Sequence, residues 1–201
     1  SMIDLAGLPM LRRLEGDLKI ESHYALNIVS GLNDLVTIDG KFILYNNSSL
    51  TEVAGLNSLV SIAGSLKIYN NPLLTSLSGL DSLASIGESL EVHDNATLPN
   101  LLGLGSLTSV GDYLQIEANQ ALVSLQGLNN LNFIGGYLNV PGNASLTDLT
   151  GLSNLNSIGD YLNVSGNASL VRMTGLDNLT TVQGDLRIDN NQVLKSLPGL
   201  D

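Results

Sequence analysis

The chain has 201 residues, and eight Lys and Arg against nineteen Asp and Glu give a net charge of −11, which argues against binding nucleic-acid phosphates or an anionic membrane surface. Cysteine is absent, which excludes a disulfide framework, a thiolate metal site and a cysteine nucleophile. Within these residues there is no apolar run of about 18 and no basic stretch leading into an apolar segment, so neither a membrane span nor a secretion signal is legible.

In chain order, residues 1–6 form a lead-in, of which Ser1 and Met2 read as a vector-derived remnant. Residues 7–198 are eight units of 24 residues. The dipeptide Gly-Leu returns with its glycine at 7, 31, 55, 79, 103, 127, 151, 175 and 199, and no insertion or deletion breaks the series. Residues 199–201 begin a ninth unit, so the chain is expected to belong to a longer surface protein, the rest of which supplies anchoring.

Numbering each unit from its glycine as position 0, seven columns are apolar: positions 1, 4, 7, 11, 13, 19 and 22. Position 4 is Leu in every unit, from Leu11 to Leu179, and position 19 is Leu from Leu26 to Leu194. Only stacking of successive units can bury such columns. The alternation around positions 11 and 13 predicts one short, half-buried strand per unit, laid parallel to the same strand of the next. The predicted fold is therefore a parallel β-solenoid of eight 24-residue coils. Glycines at position 0 and at position 8 or 9 fit corners that need positive φ or close backbone approach.

Position 16 is Asn in seven units: Asn47, Asn71, Asn95, Asn119, Asn143, Asn167 and Asn191, with His23 in the first. A polar residue fixed among apolar columns needs its hydrogen bonds met, so a structural ladder of amides bonding turn backbone is expected. A row of ligand-binding amides is the alternative.

Here the residues resemble a known family. The segment Leu66-Lys-Ile-Tyr-Asn-Asn71-Pro-Leu-Leu74 resembles the leucine-rich-repeat core with one residue added. The fuller pattern Gly-Leu-x-x-Leu-x-x-Ile-x-Gly-x-Leu-x-Ile-x-x-Asn-x-x-Leu-x-x-Leu is similar to the receptor L-domain repeat. That repeat occurs in the ligand-binding domains of the insulin and epidermal growth factor receptors, in fungal cell-wall proteins and in bacterial surface proteins. The resemblance implies a right-handed solenoid, an extracellular or cell-surface location, and non-catalytic binding. The animal receptor domains carry cysteines and less regular coils, so the unbroken, cysteine-free register here points to a bacterial or simple-eukaryote surface protein. No ligand-contact motif of the receptors carries over.

Positions 10, 12 and 14 flank the inward columns and are expected to project from one sheet face. Five of the six tyrosines fall there. Tyr113, Tyr137 and Tyr161 form one column, and Tyr45, Tyr69 and His93 another, with rungs about 4.8 Å apart. Tyrosine offers rigid contact area with a polar tip, which suits recognition of protein or carbohydrate. The first column, with Gln115, Asn139 and Asn163 beside it, is the favoured ligand-binding patch because its side chains are uncharged; the second is the secondary candidate. The competing reading is a structural spacer, with the tyrosines serving only to stabilise adjacent strands.

Catalytic chemistry is not expected. His23 and His93 lie far apart in sequence, and Glu91, His93 and Asp94 read as an ordinary polar cluster on a solvated strand. No nucleophile elbow, phosphate loop or metal-spaced histidine pair occurs, and the Gly-Asp pairs lack the acidic columns of a calcium-binding roll. Neither a cofactor nor a metal is expected. A polysaccharide-active β-helix enzyme would need converging acids and bases. Ice binding would need a regular Thr column, whereas position 6 is mostly Ser and is broken by Arg13 and Phe133. Among the Asn-x-Ser/Thr sequons, Asn178 is the one expected on an open turn. No nucleic-acid partner and no membrane insertion are expected, and open solenoid ends favour end-to-end association.

Overall fold

The structure is a computed structural model that describes residue 8 and residues 10–197. The lead-in, the start of the ninth unit, and the repeat glycines Gly7 and Gly199 lie outside the described residues.

The fold is a parallel β-solenoid in steps of 24 residues. Each unit carries a four-residue strand at positions 11–14, from Leu18–Glu21 through Leu66–Tyr69 and Leu114–Glu117 to Leu186–Asp189. Eight such strands form one parallel sheet, each paired to its equivalent one unit away, as in Leu66 with Leu90 and His93 with Glu117. The repeat period fixes this register, because a slip of one residue would turn every inward Leu and Ile to solvent.

The sequence reading expected one strand per unit, and the structure has two. A second eight-stranded parallel sheet is built from two-residue strands at positions 6–7, such as Arg13–Leu14, Ser61–Ile62 and Thr181–Val182. The physical reason lies in position 7, which is β-branched in seven units and seats its side chain in the core beside the next copy. A third edge pairs Ile28–Val29 with Glu52–Val53 and goes on as a single bridge from Glu52 to Ser76, and the sole helix among the described residues is the 3-10 turn Ser78–Leu80. No helix among the described residues is long and apolar enough to cross a membrane.

From Leu32 to Met173 every member of the seven apolar columns is buried in one continuous core. Burial of each is worth about 1.5–3 kcal/mol before conformational entropy is counted. The exceptions are confined to the outer units: Leu8, Leu186 and Leu197 are about half exposed, and Leu11, Leu14, Leu18, Leu179, Val182, Ile188 and Leu194 are partly covered.

The two glycine columns serve different needs. Gly127 has a φ of +113°, and a Cβ there would sit 1.9 Å from the carbonyl oxygen of Leu101. Gly111 lacks positive φ, but a Cβ would meet the Gly87 carbonyl oxygen at 2.0 Å, so the corner simply leaves no room between coils. A third column, position 15, turns through the left-handed region in every unit. Ser22, Asn46, Asn70, Asp94, Ala118, Gly142, Gly166 and Asn190 have φ between 52° and 67°. Short polar residues and glycine tolerate that conformation, and Ala118 is the member least suited to it.

Behind this turn lies the asparagine column. Asn47 through Asn167 are fully buried. Each Oδ1 accepts the backbone N–H of position 16 in the preceding coil at 2.9–3.2 Å, starting with His23 N–H to Asn47 and ending with Asn167 N–H to Asn191. Each Nδ2 donates to the position-13 carbonyl of the preceding coil at 2.8–3.0 Å, as from Asn119 to Val92 and from Asn191 to Val164. The left-handed residue swings the chain out of the sheet, and the amides satisfy the backbone groups that the sheet no longer pairs.

Candidate functional site

The outward face of the four-residue strands carries both tyrosine columns. In each interior strand the pattern alternates buried and half-buried, so positions 12 and 14 stand on the surface above buried 11 and 13. Parallel pairing in register brings equivalent side chains above one another, and the rings stack. Tyr113 and Tyr137 have centroids 4.5 Å apart at 6°, and Tyr137 and Tyr161 4.6 Å apart at 8°. Tyr45 lies on Tyr69 at 4.4 Å and 27°, and Tyr69 on His93 at 4.7 Å and 18°. These spacings follow the rung distance of a parallel sheet.

Stacking alters what the tyrosines offer. The sequence reading treated them as exposed contact area, but each is half-buried, and the interior rings spend both faces on their neighbours. What remains is ring edges, hydroxyls and the outer faces of the terminal rings. Burial, with Tyr161 and nearby carboxylates adding to it, pushes the Tyr137 phenol up to about 12. Burial also raises Tyr113, reinforced by Glu91, and raises Tyr161, reinforced by Asp160.

A charged knot separates the two columns. The Tyr113 hydroxyl donates to Glu91 Oε1, and Lys67 Nζ donates to the same oxygen at 2.8 Å. Burial would raise the Glu91 carboxyl, but the bonds from Lys67 and Tyr113 outweigh it and hold it below its usual value. His93 Nδ1 lies 2.8 Å from Asp94 Oδ2, so the sequence cluster of Glu91, His93 and Asp94 divides between two separate pairings. Among the described residues no three His, Cys, Asp or Glu side chains are placed to hold a metal ion.

The other sequence-chosen residues part company. Gln115 turns to Glu117, donating at 2.6 Å. Asn163 donates to Asn139 Oδ1 at 2.7 Å and to Ser165 Oγ at 3.1 Å, which ties two coils together across the face. Asn139, Tyr161 and Asn163 line a shallow groove of about 570 Å³, together with Asp160, Gly184, Asp185 and Arg187. Asp185 and Arg187 stand at positions 10 and 12 of the last unit, columns expected on this face, but are not among the residues that the sequence assigns to a site. The available signal was the loss of tyrosine at position 10 in the last unit, where Asp185 stands.

A second shallow groove, of about 440 Å³, runs along the two-residue strands, with Ser61, Ser85 and Ser109 in line and Phe133 45% exposed at its end. This is the position-6 column. Asn178 sits exposed on a turn, its amide donating to the Ser153 carbonyl at 2.6 Å.

No protein-family model matches the chain, and no curated protein or solved structure shows a significant match to it.

Proposed function

We propose that this solenoid is a non-enzymatic recognition or adhesion module of the receptor L-domain type, working outside the cell and binding a protein or glycan partner on the face of its four-residue strands. One observation carries the reading: five tyrosines and an amide-lined groove are gathered on one flat face of an otherwise repetitive surface. Half-buried tyrosine columns with polar tips suit recognition, because they lose little conformational freedom on binding. The ionisable groups between the two tyrosine columns are engaged with their neighbours, Glu91 with Lys67 and Tyr113 and His93 with Asp94, which suits binding better than proton transfer.

Mutual stacking favours a second reading, that of a spacer without a ligand, because rings that cover one another stabilise neighbouring strands whatever else they do. A screen against glycans and cell-surface proteins, comparing the native chain with the Tyr113/Tyr137/Tyr161→Ala variant, separates the two. Recognition predicts a ligand that the native chain retains and the folded variant releases. A spacer predicts no such ligand.

A further inference from the structure

The column Tyr113–Tyr137–Tyr161 is a stack cut short. Tyr161 has one face on Tyr137, and its other face points along the solenoid axis to position 10 of the next coil. A fourth tyrosine there would continue the pile. The residue is Asp185, too short to cover a ring, and the space left is the groove bounded by Tyr161, Gly184, Asp185 and Arg187. Gly184 also lines it, packed so closely on the preceding coil that a Cβ there would come within 2.7 Å of Asp160 Oδ1 and 2.8 Å of the Tyr161 backbone nitrogen. The opposite end of the column is built differently: Tyr113 follows Ser89, which is buried and donates to Asp112, and the Tyr113 hydroxyl is held by Glu91.

The walls of the slot are polar. Asn139 and Asn163 carry amides, Asp160 and Asp185 carboxylates, and Arg187 a guanidinium already held by Asp189 at 2.6 Å and 2.9 Å. Asn163 Oδ1 lies out of solvent and has no donor among the described residues. A buried acceptor without a donor is unfavourable, and on the wall of this groove it is one that a ligand hydroxyl can meet.

Resting on the recognition reading above, we propose that this slot is a saccharide subsite: a neutral hexopyranose ring lies on the open face of Tyr161 in place of the missing fourth tyrosine. Its axial C–H groups meet the negative face of the ring, and its hydroxyls reach Asn139, Asn163 and Asp185. The two free carboxylates disfavour an acidic sugar. The predominance of polar walls around a single aromatic platform favours a sugar over an aromatic side chain of a partner protein.

The test is an amide-resolved NMR titration of the whole chain with methyl β-glucopyranoside, methyl β-galactopyranoside and methyl α-mannopyranoside, with glucuronate and N-acetyltyrosinamide as comparators. At least one neutral glycoside is expected to saturate at millimolar concentration, with shifts centred on Tyr161, Asn163, Gly184 and Asp185. Asp185→Tyr is expected to complete the stack, leave the fold intact and weaken that glycoside about tenfold or more, and Tyr161→Ala is expected to do likewise. Unchanged binding in Asp185→Tyr, shifts centred elsewhere, or preference for glucuronate or N-acetyltyrosinamide overturns the subsite but leaves recognition by the face standing. The absence of saturation by any neutral glycoside also overturns it. If, in addition, the screen with the triple tyrosine variant finds no ligand, the recognition reading falls as well.

Discussion

The molecule carries two ladders built by the same repeat, one facing in and one facing out. The inward asparagines are fully buried from Asn47 to Asn167, and each holds backbone groups of the coil before it. The outward tyrosines are half-buried, stack on one another and on His93, and their columns stop after three rungs. Repetition alone therefore does not decide what a column does. An amide that satisfies buried backbone is a condition of folding, whereas a ring stacked on a solvated sheet is a local gain that a ligand can share.

The sharpest way to break the inward ladder is Asn119→Leu. It leaves the Asn95 N–H and the Val92 carbonyl without partners inside the core, at about 1–3 kcal/mol each, so a loss of about 2–6 kcal/mol is expected in urea unfolding. Tyr137→Ala removes two stacked contacts, each worth about 0.5–1.5 kcal/mol, and should cost less than the asparagine change. Ala118→Gly relieves a left-handed residue at φ 52° and should raise stability by up to about 1 kcal/mol, read as a small upward shift in Tm. The smallest effect is alkaline. Below pH 10 the Tyr137 phenol is neutral in folded and unfolded chains alike; above it the unfolded chain ionises first, because burial holds the folded phenol near 12. Stability should therefore fall as pH rises from about 10 to about 12, by an amount reduced by solvent screening. Tyrosinate absorbance during the same titration should lag behind that of free tyrosine.

The apolar columns, the solenoid period and the outward face were legible because each is a property of one unit repeated in phase. The second sheet was less so: two-residue strands leave too short an alternation to read, although β-branched Ile38, Ile62 and Ile86 mark the place. The left-handed column was present as a run of Asn, Asp, Ser and Gly before position 16, with Ala118 masking it. The site was legible only in part. Alternation places Tyr161 and Asn163 on the face, but it cannot show that stacking covers most ring faces. Nor can it show that Asp185 leaves one of them open, since both depend on side chains from adjacent coils meeting in space.

The contrast between the ladders comes to a single comparison: urea unfolding of Asn119→Leu and Tyr137→Ala beside the native chain. The expected result is a large loss for the asparagine variant and a loss below about 2–3 kcal/mol for the tyrosine variant, which keeps its fold. A tyrosine variant that loses as much as the asparagine variant, or fails to fold, would show that the outward stack is a condition of folding and contradict its assignment to recognition.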